Sequence, residues 1–261
     1  MSTSIHVSIG QVAASLALIL LAVAISSWRR ADLEQDIAIA TIRSFIQLTA
    51  IGYAIKLIFE ADTILLVLAL LAVMVLFGAI TARRRATEVP NAFWPLLLAL
   101  ATAGATTLGL VVGLGVFDPT PRYLVPVGGM VIGNAMTASA IALNRLGDEV
   151  LDSRARIEAT LALGATAQEA AAPIVRRALR SGMIALIDST KTTGLIFFPG
   201  TMVGMLLAGA DPTDAVRLQL ILLYALVGSV AIAALVATLL AYRSFFTPAE
   251  QLRELDAAAS R

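Results

Sequence analysis

Seven apolar stretches, each about as long as a membrane is thick, constrain this chain more than any other feature. They are Val7–Ser27, Ile37–Phe59, Thr63–Ala82, Ala92–Phe117, Tyr123–Leu143, Met183–Gly209 and Leu218–Tyr242. A hydrocarbon core of about 30 Å needs roughly 20 apolar residues of helix to cross it. Only helices or closed barrels satisfy every backbone group in lipid, so runs of this length predict an all-α integral membrane protein with about seven transmembrane helices. Composition agrees: 59% of the residues are hydrophobic, against roughly 45–50% in soluble domains.

The distribution of cations orients the bundle. Placing the N-terminus outside puts Arg29, Arg30 and Arg83–Arg85 on the inner side. The same choice places Arg145, Arg154, Arg156, Arg176, Arg177, Arg180, Arg243, Arg253 and Arg261 there. Only Arg122 and Arg217 fall outside. The positive-inside rule then predicts an external N-terminus and a cytoplasmic C-terminus in the cell inner (plasma) membrane. The first stretch has no Lys or Arg before it and no small-residue cleavage pattern after it. It reads as a retained span, not a secretory signal.

One inner segment is long. Residues 144–182, Asn144 to Gly182, are rich in Ala, Glu and Arg, which favours helix but is too charged to span. We expect one or two cytoplasmic helices lying under a single permease domain covering residues 1–261. Glu158, Gly164, Glu169 and Pro173 punctuate this segment. A helix–glycine–helix element with charged edges suits the docking of a soluble partner, because glycine permits a sharp turn and close approach. A solvated amphipathic linker fits the same spacing.

Charges inside the spans mark a second set of candidates. Arg43 and Gln47 are one helical turn apart and share a face. An arginine at the centre of a span costs roughly 2.5–3.5 kcal/mol on insertion scales, so it faces protein or water, or it snorkels from near a helix end. Asp188 and Lys191 are three apart and form a candidate in-membrane ion pair, either a switchable pair at the inner mouth or a structural anchor. Backbone breakers occur at Pro126, Gly128, Gly129 and Gly133, and again at Pro199 and Gly200. Irregular backbone at membrane depth lines a cavity or is buried in protein, while glycines four apart also serve plain helix packing. Asn134 is the leading substrate-path candidate because a mid-span amide requires partners. Met130, Met136, Thr137, Arg43, Gln47, Pro199 and Gly200 join it as path candidates.

Several blocks resemble one family. The motif Glu158-Ala159-Thr160, followed by Gly164 and Pro173, is similar to the loop by which ABC-transporter permeases touch their ATPase subunits. Residues 42–48, 126–136, 188–195, 198–204 and 217–220 resemble the FetB/YbbM type of ABC permease (uncharacterised family 0014, related to plant aluminium-tolerance permeases). The similarity runs from about Asp36 to Leu252. It implies a permease that pairs with a separate ABC-type ATPase, works as a homodimer and, in the best-known bacterial members, exports metal ions, iron in particular.

The residues set limits on that implication. No Gly-x4-Gly-Lys-Ser/Thr phosphate loop occurs, since Ser189-Thr190-Lys191-Thr192 lacks the preceding glycines. ATP and Mg are therefore expected on a partner chain, with no cofactor in this one. The single histidine, His6, sits at the N-terminus, cysteine is absent, and no His/carboxylate cluster occurs in the spans, so no resident metal site is expected. An oxygen-lined path, or a chelated metal as cargo, fits these residues better than a tight ion site. No serine–histidine or paired-carboxylate arrangement supports catalysis by this chain. A net charge of +1 gives no basic field for nucleic acid. The rival readings are an ion- or proton-coupled carrier or channel using Arg43, Asp188 and Lys191, and a seven-helix receptor or scaffold.

Overall fold

The computed structural model describes residues 8–61 and 63–253. The regular elements among those residues are all helices, with two isolated backbone bridges and no extended sheet among them. They divide into two compact units.

The first unit holds α1 (Ile9–Arg29) and α2 (Glu34–Ala61). Ser8 starts α1 with a capping box: its hydroxyl accepts from Gln11 N–H, and the Gln11 side chain accepts from Ser8 N–H. Arg30 ends α1 in the left-handed region at φ 53°, and Ser26 Oγ accepts from Leu33 N–H at 3.1 Å, which ties the connection down. Glu34 and Asp36 occupy the first turn of α2, where negative charge suits the helix dipole.

The second unit holds α3 (Ile64–Arg83), α4 (Phe93–Gly113), α5 (Pro121–Asp152), α6 (Arg154–Ala162), α7 (Ala167–Thr192), α8 (Gly200–Leu207) and α9 (Pro212–Ala241). A 3-10 turn, Tyr242–Phe245, follows α9. Proline stands at the first position of both α5 and α9, where its missing N–H has no helical partner to lose. Helix α5 is central and packs on α3, α4, α7 and α9. Much of the buried core there is alanine: Ala79, Ala99, Ala103, Ala135, Ala178, Ala233 and Ala237 are closed to solvent. Small side chains let helices approach, which is how helices associate when lipid is as apolar as leucine. Glycine makes the closest approaches. A Cβ on Gly182 would lie 2.6 Å from the Ala138 carbonyl oxygen, and one on Gly147 would lie 2.6 Å from Glu88 Cβ. A Cβ on Gly128 would overlap Leu71 Cδ2. Gly133 faces open space, so it is not a packing glycine in this unit.

Two expectations change. Six helices among the described residues are long and apolar enough to cross a membrane: α1 to α5 and α9. The stretch 183–209 is not one helix. Helix α7 stops at Thr192, residues 193–199 are irregular, and α8 is eight residues long. Gly194 at φ 86° turns the chain, and Pro199 cannot donate to a continuing helix. The charged segment 144–182 is likewise not a separate pair of helices. Residues 144–152 complete α5 and residues 167–182 begin α7, so only α6 and a short turn stand apart. The apolar-to-charged boundary in the sequence marks a change of solvent, and a helix crosses it without breaking.

Candidate functional site

The turn between α6 and α7 is locally well specified. Thr166 caps α7 with a second capping box: its hydroxyl accepts from Glu169 N–H at 3.3 Å, and the Glu169 carboxylate accepts from Thr166 N–H at 2.8 Å. The backbone N–H and hydroxyl of Thr166 hold the Glu169 carboxyl below the usual carboxylate range. Gly164 adopts φ 88°, a conformation that strains any other L-residue, and a Cβ there would meet nothing. Beside it Leu163 is 89% exposed, an apolar knob at the tip of the turn. Glu158 pairs with Arg154 at 2.9 Å along α6, and Pro173 lies half-buried in the second turn of α7 without ending the helix. All four residues predicted for partner contact therefore lie on α6, its turn or the start of α7.

Beneath this turn is a network that sequence reading missed. Glu149, 7% exposed near the end of α5, accepts from Arg177 Nε at 2.8 Å and pairs with Arg145 one turn back. Arg177 Nη2 approaches the same carboxylate at 2.6 Å, so the network bolts α5 to α7. The Arg145–Glu149 spacing was legible as an i,i+4 pair. The partner from α7, 28 residues on, was not.

Further along α5, Pro126, Asn134, Thr137 and Ile141 form an exposed stripe at helical spacing, with Met130 and Gly133 half-exposed in the same row. Asn134 Nδ2 donates to the Met130 carbonyl at 2.8 Å, and Thr137 Oγ1 donates to the Gly133 carbonyl at 3.1 Å. Each satisfies part of its polar demand on its own helix and leaves lone pairs toward the open face. Thr201, in the first turn of α8, lies 3.9 Å from Met130 sulfur, while Pro199 and Gly200 precede it at the start of α8. Met136 departs from the expectation: it packs against the core beside Gly78 and does not share the Asn134 face. Two positions separate Asn134 from Met136, about 200° around a helix, so they point apart. Arg43 and Gln47 belong to the other unit, where both are exposed on α2.

Asp188 and Lys191 pair at 3.0 Å with both side chains more than half exposed. The hydroxyls of Ser189, Thr190, Thr192 and Thr193 all donate to carbonyls three or four residues back, so this polar end of α7 is self-satisfied. The carbonyl of Thr192 then accepts from Leu195, Ile196 and Phe197, and Gly194 N–H donates to Phe197 O at 2.8 Å. Among the described residues, two buried polar atoms, Ser139 Oγ and Gln219 Oε1, have no hydrogen-bond partner. Among the described residues no group of three His, Asp or Glu is placed to hold a metal ion. His6 lies outside the described residues.

Comparison with known proteins places this arrangement. The profile of Uncharacterised protein family (UPF0014) matches residues 9–246. The chain belongs to this family. It is 37% identical over 240 residues to the UPF0014 membrane protein YjkA of Bacillus subtilis, covering 92% of this chain and 96% of that one. It is 37% identical over 241 residues to the protein ALUMINUM SENSITIVE 3 of Arabidopsis thaliana, covering 92% and 88%. It is 33% identical over 240 residues to the probable iron export permease protein FetB of Escherichia coli, covering 92% and 93%. No solved structure matches. With its six long apolar helices, this family member is a multi-pass membrane protein.

Proposed function

We propose that this chain is the permease subunit of an ATP-binding-cassette transporter, and that it exports a metal ion or a chelated metal. The observation that carries the reading is the α6–Gly164–α7 turn. It presents an exposed leucine beside a left-handed glycine corner, and short connections link it to α5 and α7, the helices that bear the Asn134 stripe and the Asp188–Lys191 pair. A carrier driven by an ion gradient has no need of such a knob. The inner side is the α6 side, because the exposed arginines concentrate there. With an external N-terminus and a cytoplasmic C-terminus, the broken α7–α8 stretch supplies the seventh crossing. Its irregular backbone lines a path or a protein contact, as membrane-depth breaks do.

Cargo follows from the relative named as a probable iron export permease and from the lining of the stripe. Amide and hydroxyl oxygens with one thioether make a weak, oxygen-rich row that passes a cation or its chelate without holding it. ATP and Mg belong to the partner ATPase.

The test is reconstitution of the chain in vesicles, with and without candidate ATP-binding-cassette subunits of the same organism. Efflux of iron and other divalent metals is followed under ATP. ATP-dependent metal movement that disappears in the variant Gly164→Arg, with the helical fold intact, is the expected result. Full-rate movement in vesicles lacking any nucleotide-hydrolysing subunit would refute the reading.

A further inference from the structure

Two clefts flank the α6–α7 turn, and the C-terminal stretch forms one wall of each. The first, about 550 Å³, lies between residues 166–168 and residues of the stretch 242–253. The second, about 430 Å³, lies between residues of the stretch 158–165 and residues 249–252. Any body that grips the turn from both sides therefore meets residues 247–252.

That stretch is built rather than trailing. Phe245 is fully buried against the core shared with α5 and α7, and Phe246 is nearly so. Phe246 and Leu252 form an antiparallel bridge, and Thr247 N–H donates to Gln251 O at 2.8 Å. Arg253 closes the hook, donating from its backbone to Phe245 O at 2.8 Å and from Nε to Phe246 O at 3.1 Å. Glu250 sits at its apex with φ 60°, a left-handed setting that a glutamate holds only when its surroundings demand it. The demand is visible. Its carboxylate accepts from Ala167 N–H at 2.6 Å, one of the first-turn donors of α7 that has no helical partner.

We propose that the hook 247–252 is the second half of the docking surface for the ATP-binding-cassette subunit, and that Glu250 is the positioning residue that sets the hook against the turn. This rests on the ATP-driven reading above. Helix α9 runs directly into the hook, so a partner seated on both walls pulls on α9 together with α5 and α7.

The full-length chain in lipid nanodiscs is titrated with candidate ATP-binding-cassette subunits of the same organism, and four variants are compared: Leu163→Asp, Ala249→Trp, Glu250→Ala and Glu250→Gly. Ala249 lines the second cleft on the hook side. Each variant is expected to weaken binding about tenfold, with the unfolding temperature unchanged. Amide exchange at Ala167 is expected to rise about tenfold in both Glu250 variants, because a lost charge-assisted bond opens that donor. Glu250→Gly separates two causes, since it relieves the left-handed backbone but removes the carboxylate. Should Ala249→Trp and both Glu250 variants bind as the wild type while Leu163→Asp does not, the hook is no part of the dock and the inference falls alone. A wild-type chain that binds no such subunit overturns the ATP-driven reading and the shared docking surface with it.

Discussion

Helices α5 and α7 are held together at one end and left open at the other. Near the α6 turn, Glu149 bridges Arg145 and Arg177, and Gly182 lets the α7 backbone rest on the Ala138 carbonyl. Beyond those fastenings, the α5 stripe from Met130 to Thr137 is open, α7 ends in an exposed ion pair, and the backbone leaves helical form at Thr193. The difference teaches where motion can enter. A lever must be stiff where it is gripped and yielding where it acts, and packed glycine contacts and ion pairs that join two helices supply stiffness that hydroxyl-to-carbonyl bonds within one helix do not.

Substitutions can break or sharpen that contrast. The largest effect is expected from Gly182→Leu, which drives a side chain into the Ala138 carbonyl oxygen 2.6 Å from the site of its Cβ. Overpacking costs about 1–3 kcal/mol, and the upper end is expected against backbone, read as a fall in unfolding temperature of the purified protein in detergent. The paired substitution Gly133→Leu, facing open space, is expected to leave that temperature nearly unchanged.

Next is Glu149→Ala. It leaves two arginines without their shared acceptor, but both are partly exposed and rehydrate, so the loss is about 1–2 kcal/mol. A cysteine pair engineered across α5 and α7 near this level should then cross-link more slowly than in the otherwise native chain. Equal rates and equal stability would show that the network does not fasten the two helices.

The smallest stability effects belong to the open end. Asp188→Asn is expected to shift stability by less than about 0.5 kcal/mol, because a pair three residues apart on one helix contributes roughly 0.2–0.5 kcal/mol and fastens no neighbouring helix. Asn134→Ala should do the same, since its amide donates only to its own helix. On the transport reading, Asn134→Ala slows metal efflux in vesicles several-fold while the melting curve stays in place. A drop of several degrees for either variant would mean that this face is load-carrying packing, and the contrast between the two ends would be lost.

Much of the architecture could be read from the chain alone, because its causes are local. Apolar length, capping serine and threonine, proline at helix starts and the asymmetry of arginines each act within a few residues or through partition into lipid. The helix starts at Ser8 and Thr166 follow from the same local rules. What escaped was rotation and long-range pairing. Met136 looked equivalent to Met130 in composition, yet six residues of helix place one against the core and the other beside Thr201. Nothing near Glu149 announces Arg177, and nothing near Ala167 announces Glu250, 83 residues later.

The sequence by itself determined that this chain is made of lipid-length helices with one charged, turn-forming segment, since apolar runs of about 20 residues satisfy their backbone in lipid as helices and are too long for barrel strands. Only the tertiary structure decided that the charged segment is largely the extension of two long helices, that the sixth apolar run is broken, and that residues 246–253 fold back against the α6–α7 turn. Those outcomes depend on which helix faces meet. That is settled by the sum of many close contacts between residues far apart in the chain, a quantity no local pattern contains.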